Sequence, residues 1–432
     1  MAILKDPRWL VLLLAFAVGA WLLVPPVVLH VGPWLIARED WVRVWPLCLA
    51  IPFIGRRLFQ FSLLDLPMIL FCLCPLVAGI ANETPVLDAF NETKKEFLYW
   101  FFPYWFGRHA IESRASRHLF AWILIAGCGI CVLPVVYEIS HGPVIAGWFT
   151  GGESLAWRGA DRGGSFRPSL FFPTGFVLTM FFAWSCILSF AFARSFLMRQ
   201  SHPFSEVELQ RSSQQYGIAC VSTGALFFVL LVACRSLGSI VLGTLGAVSC
   251  VALPRKWRGI WLICLIAIPS IYIVSRITGI ASAERIVAGA KQFTSETRAD
   301  SLGYRLRAEE IVFDRMKDHW WLGFGTWGGW TLGKPAPIAL DGFWLFCLTR
   351  TGMISVLCWW MMVALPCGWL TWCRTWHALT AVEFAFALIV CLSLVDGMFN
   401  YFSEAPLLMC IGLITTMAIQ SKSNPGVVTK PT

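Results

Sequence analysis

Charge is scarce in this 432-residue chain. Charged residues make up 14% of it against 57% hydrophobic, and the mean hydropathy is +0.68, whereas soluble domains carry about 25% charged and roughly 45–50% apolar residues. That scarcity excludes a water-soluble globular protein and leaves a polytopic membrane protein. The outer loops lack cysteine: nearly all of the 16 cysteines fall inside apolar runs or at their ends, so they read as small buried hydrophobes and offer no disulfide framework. Cys128 and Cys131 have redox spacing but lie in the middle of a run. There is no internal repeat, no low-complexity tract and no polar stretch long enough for a separate soluble domain. One integral membrane domain over 1–432 is expected.

What the chain does have is a long series of apolar runs. About 20 apolar residues suffice to cross the hydrocarbon as a helix, and runs near that length lie at 9–30, 41–54, 66–81, 97–111, 120–139, 169–192, 216–233, 236–253, 259–275, 340–367, 375–395 and 405–420. The expected fold class is all-α, with about 12 transmembrane helices. The second and fourth runs are short enough to be tilted or re-entrant. The first has no small-residue cleavage pattern, so it is expected to stay as an anchor. Lys and Arg concentrate in short cytoplasmic loops. Lys5, Arg8, Arg56, Arg57, Arg114, Arg117, Arg194, Arg199, Arg211, the 255–258 cluster and Arg374 share one side when both termini are cytoplasmic.

That orientation leaves two long loops on the opposite, periplasmic side, 140–168 and 276–339, with 421–432 as a polar cytoplasmic tail. The first is Gly-rich and carries Arg158, Asp161, Arg162 and Arg167. In the second, Leu302, Leu306, Ile311 or Phe313, Met316 and Trp320 recur as one face of a helix, which predicts an amphipathic helix over 301–321 lying along the membrane surface. Its polar face would pair Arg305 with Glu309 and Arg307 with Glu310 at helical spacing, and Leu322-Gly323-Phe324-Gly325 would stop it. Arg350 falls two to three turns inside a run, where a charge is costly and needs a partner or a wet cavity. Asp396, near the end of the eleventh run, is the candidate for that partner or for a sugar contact. The net charge of +9 reflects this loop asymmetry and gives no support for nucleic-acid binding.

Four patches in this order resemble the O-antigen ligase and polymerase superfamily of bacterial envelope glycosyltransferases. They are Phe166-Arg167-Pro168-Ser169 running into Pro173-Thr174-Gly175; Arg235-Ser236-Leu237-Gly238-Ser239; Arg305 followed by His319-Trp320-Trp321-Leu322-Gly323-Phe324-Gly325; and Leu340-Asp341-Gly342-Phe343-Trp344-Leu345 with Gly352. The likeness covers roughly 165–413. It implies a GT-C-like architecture in the bacterial inner membrane, with an active site facing the periplasm and undecaprenyl-pyrophosphate-linked oligosaccharide as substrate. It also implies neither metal nor cofactor, and a flippase and a chain-length regulator as working partners. On this resemblance Arg235 and Arg305 bind the pyrophosphate, with Arg167, Arg162 and Arg307 closing on it. Arginine suits that task because its planar fork binds phosphate bidentately and stays charged. Where ligases of the superfamily carry a histidine, this chain has Asp341, which leans the reading towards polymerisation of repeat units and makes Asp341 either the catalytic base or the group that orients an arginine. Trp327 and Trp344 are expected to stack on sugar rings, with Arg350 and Asp396 supporting.

Plainer readings compete. Arg235 would snorkel to headgroups, Arg305 and Arg307 would pair with their own helix's glutamates, and Asp341 would cap a helix N-terminus. The alternatives at the level of function are an O-antigen ligase delivering glycan to lipid A core, and a polysaccharide or lipid transporter or flippase. A transporter predicts interrupted spans in two related halves, a symmetry the sequence does not display.

Overall fold

Charge-poor runs fold as helices because a backbone in lipid must satisfy its N–H and C=O groups within the segment itself. The computed structural model describes residues 60–150, 166–172, 174–198, 207–293, 295–325, 340–373, 379–400 and 404–423, with 15, 18, 19, 29–31 and 34–36 before them. The described chain is helical but for one small antiparallel hairpin, β1 (Leu29–Val31) and β2 (Trp34–Ile36). In chain order the helices are α1 (Leu66–Ala81), α2 (Val86–Glu96), α3 (Phe102–Ala110), α4 (Arg114–Ile130), α5 (Val132–His141), α6 (Ile145–Thr150), α7 (Gly175–Met198) and α8 (Val207–Ala233). They continue as α9 (Leu237–Ala252), α10 (Arg258–Ile277), α11 (Ala283–Lys291), α12 (Glu296–Arg315), α13 (Phe343–Trp372), α14 (Ala381–Asp396) and α15 (Ala405–Ser423).

Among the described residues six helices are long and apolar enough to cross a membrane: Leu63–Ala81, Arg114–His141, Gly175–Met198, Ser213–Ala233, Arg255–Ile277 and Phe343–Trp372. The expected spans at 236–253 and 405–420 appear as shorter apolar helices. The run at 97–111 is a π-helical turn, Phe97–Phe101, leading into the nine-residue α3. Those at 9–30 and 41–54 lie almost wholly outside the described residues. The molecule is thus a polytopic helical protein.

Its centre is α7. A helix apolar on every side belongs inside, and from Gly175 to Ala193 nearly every residue of α7 is buried, packed against α4, α8, α9 and α14. The longest helix, α13, is not continuous. Gly352 has φ 79° and ψ −174°, which breaks the helical ladder, and the segment after α12 repairs it. Phe324 and Gly325 donate their N–H groups to the carbonyls of Thr349 and Arg350 at 2.9 and 2.8 Å, while Met353 donates to the carbonyl of Trp320 at 2.7 Å. Only glycine fits here, since a Cβ on Gly352 would stand 2.1 Å from the Trp321 carbonyl oxygen and its φ belongs to the left-handed region.

The second long loop departs from expectation in two ways. Its helix α12 begins at Glu296 and ends at Arg315, ahead of the predicted 301–321, and the chain then turns through 316–325. Its glutamates do not pair along their own helix. Glu309 accepts from Arg276 Nε and from the Tyr272 hydroxyl of α10, both at 2.6 Å, and Glu310 lies 3.5 Å from Arg276 Nη1. The face bearing Glu309 is buried, so its partner has to come from the element packed against it.

Candidate functional site

At the N-terminal end of α9, four segments distant in sequence surround a cavity of about 510 Å³ whose lining includes Arg167, Arg235, Arg305 and Asp396. Each arginine is held by a different device.

Arg235 sits in the short link between α8 and α9 with a left-handed φ of 52°. That conformation costs an L-residue roughly 1–2 kcal/mol and persists only where the surroundings impose it. It turns the chain from α8 directly into α9, so that Leu237 and Gly238, the first residues of α9, form the cavity wall. The positive end of the helix dipole therefore borders the cavity. Ser236 occupies the cap position without capping through its side chain. Its Oγ lies 3.1 Å from Ser239 Oγ and accepts from Arg167 Nη2 at 3.2 Å.

Arg167 is built in from both flanks. Glu138, with no exposed surface, accepts the backbone N–H groups of Ile145, Ser169 and Leu170 at 3.0, 2.9 and 2.8 Å. One carboxylate thus ties together both ends of the first long loop. On the other flank the chain doubles back so closely that a Cβ on Gly175 would meet the Pro168 carbonyl oxygen at 2.4 Å, which explains the glycine after Pro173-Thr174. The Arg167 guanidinium carbon lies 5.8 Å from the centre of the Phe176 ring.

Arg305 projects from α12 one turn before Glu309, so the Arg276–Glu309 ion pair anchors its helix. Arg276 also donates to the Leu306 carbonyl at 2.8 Å. Burial pushes the Glu309 carboxyl above the usual carboxylate range, against the pull of Tyr272 and Arg276. The side chain of Arg305 reaches across to α13 and α14: its Nε lies 2.8 Å from Asp341 Oδ2, and its Nη1 donates to the Phe399 carbonyl at 3.4 Å.

Asp396 ends α14 and is 3% exposed. Asn400 Nδ2 donates to its Oδ1 at 2.8 Å, while its buried Oδ2 has no hydrogen-bond partner among the described residues. Much of the remaining wall is apolar, with Phe176, Leu237, Val241, Leu242 and Leu302, and Ser236, Ser301 and Asn400 add polar groups to it.

Of the residues expected at the site, Arg167, Arg235, Arg305 and Asp396 are brought together. Asp341 touches the cavity only through Arg305 and is not part of its lining. Arg307 faces away, lining a shallow exposed hollow with Glu284, Val287 and Lys291, because it lies two positions from Arg305 on a helix whose turn is 3.6 residues. Trp344 is also corrected: it is fully buried between Tyr272 and Phe313 and donates Nε1–H to the Met398 carbonyl at 3.2 Å, so it presents no ring to a sugar. Arg350 does not pair with Asp396. It meets Glu92 at 2.7 Å and Glu96 closer still. Arg162 and Trp327 lie outside the described residues.

Sequence reasoning missed Glu138, Ser236 and Asn400 as supports. The signal available was an acid near the end of an apolar run, at Glu138, where an unpaired carboxylate is costly. Among the described residues no three or more His, Cys, Asp or Glu side chains gather as a metal-binding group. No protein-family model matches the chain, and no curated protein matches it.

Proposed function

We propose that this protein is a twelve-span, GT-C-like glycosyltransferase of the bacterial inner membrane that joins undecaprenyl-pyrophosphate-linked oligosaccharide units into a polymer at the periplasmic face. The observation that carries the reading is the gathering of Arg167, Arg235 and Arg305 round one cavity at the end of a helix. As the sugar leaves, negative charge develops on the pyrophosphate oxygens, and donors already in place lower the barrier. The guanidiniums and the dipole of α9 supply that field. The apolar side of the cavity suits the other end of such a substrate: Leu237 and Val241 line it and are 48% and 53% exposed on the outer face of α9, a path along which a polyprenyl tail meets lipid. Asp341 acts in this reading as base or as the group orienting Arg305, and its contact with that guanidinium favours the second role.

The test is purified protein in lipid vesicles given undecaprenyl-pyrophosphate oligosaccharide, with lipid-linked products resolved by length. Ladders of longer chains are the expected result. Transfer only to lipid A core selects the ligase. A polysaccharide or lipid transporter is the second reading, favoured by the interruption of α13 at Gly352, since transporters build their sites from broken helices. Substrate crossing the bilayer unextended would establish it.

A further inference from the structure

Resting on the glycosyl-transfer reading above, we infer that Asp396 takes the proton from the attacking hydroxyl, and that Asp341 acts one residue removed, as the positioning residue of Arg305. Two carboxylates lie near the cavity and their circumstances differ. Asp341 has an oxygen committed to Arg305 Nε at 2.8 Å, and both side chains are 38% exposed, so that oxygen is already engaged in holding the guanidinium. Asp396 is buried, lines the cavity, and is fixed through one oxygen by Asn400 while the other accepts nothing among the described residues. Buried polar atoms are nearly always satisfied, so a buried acceptor at a cavity wall points to a ligand that brings the donor.

The chemistry of the wall identifies that donor. Arg167, Arg235 and Arg305 suit the anionic part of a ligand, which leaves a neutral O–H for the carboxylate. Space is available beside the Oδ1 edge of that carboxylate, because a Cβ placed on Gly238 would meet only Asp396 Oδ1, at 3.9 Å.

In the step, a lone pair of the acceptor hydroxyl oxygen forms the bond to the anomeric carbon. The bond from that carbon to the pyrophosphate oxygen breaks, and its electron pair leaves with undecaprenyl pyrophosphate. The hydroxyl proton passes to the Asp396 carboxylate. The carboxylate becomes neutral as the leaving diphosphate gains one negative charge beside the arginines.

The experiment compares wild type, Asp396→Asn, Asp396→Glu and Asp341→Asn in vesicles. It measures chain extension from undecaprenyl-pyrophosphate oligosaccharide and, separately, binding of undecaprenyl pyrophosphate itself. Asp396→Asn is expected to lower kcat by about 100-fold or more while the bare carrier still binds within about threefold of wild type, and Asp396→Glu to recover part of the rate. Asp341→Asn is expected to act mainly on donor KM and carrier binding. Extension by Asp396→Asn within about fivefold of wild type overturns the inference and leaves the transfer reading intact. Should Asp396→Asn fail to fold, the wild-type pH profile decides: the charged groups that share the cavity wall with Asp396 are Arg167, Arg235 and Arg305, with Asp341 behind Arg305, so an acid limb that moves in Asp396→Glu supports the assignment, and an acid side that is flat or does not move overturns it. Wild type that neither binds the carrier nor extends a chain overturns the transfer reading and this inference together.

Discussion

Arg350 and Arg305 stand near the same helix, yet one is enclosed in matched charge and the other lies beside open space. Around Arg350 the account is closed: Glu92 and Glu96 both meet its guanidinium, and Lys95 pairs with Glu92 at 2.6 Å. Around the cavity three arginines line the wall with a single carboxylate. A buried charge with its full complement is a structural element, because its desolvation is offset inside the protein. A wall where cations outnumber anions, next to a cavity of about 510 Å³, suits the anionic ligand of the proposed reading.

The sharpest way to break this contrast is to treat the two arginines alike. Arg350→Ala strands Glu96 in the interior and is expected to cost about 3–5 kcal/mol of stability, seen as loss of folded protein in detergent thermal unfolding; adding Glu96→Gln should recover a substantial part. Arg305→Ala is expected to leave thermal stability within a few degrees and to reduce polymer formation about 100- to 1,000-fold. Equal losses of fold from both would erase the distinction. Glu138→Gln keeps the shape but turns one of two accepting oxygens into an NH2 donor, which leaves at least one of the three backbone N–H groups without its acceptor, so Arg167 loses register and donor KM should rise about tenfold with kcat less affected. The smallest change is expected from Trp344→Phe, which removes one buried hydrogen bond and should cost about 1–2 kcal/mol without moving donor KM. A change in KM there would return Trp344 to the sugar site.

The sequence was most legible where chemistry and helix ends coincide. Arg167, Arg235 and Arg305 could be singled out because charge at the edge of an apolar run is conspicuous, whereas α12 ends at Arg315, well before the Gly-rich run at 322–325. Partnerships were not legible. Glu309 lies at helical spacing from Arg305, yet it pairs with Arg276 because its face of α12 is turned inward. Arg350 finds its glutamates more than 250 residues away, a proximity no periodicity encodes. Asp396 was noticed as a charge, but its exposure to the cavity follows from how α14 ends against α9 and α12. Local spacing proposes neighbours, and packing of distant elements decides among them.

The splice at Gly352 has a mechanical consequence. Residues 320–325 are stitched by backbone bonds into the break of α13, and Asn82 Nδ2 clamps the Gly323 carbonyl at 3.0 Å. In its C-terminal half α12 is also bolted to α10 through Arg276 and Glu309. The half of α12 that follows Arg305 is therefore fastened to both α10 and α13, and widening of the cavity for a bulky headgroup is left to the α9 side, where Leu237 and Val241 already look outward.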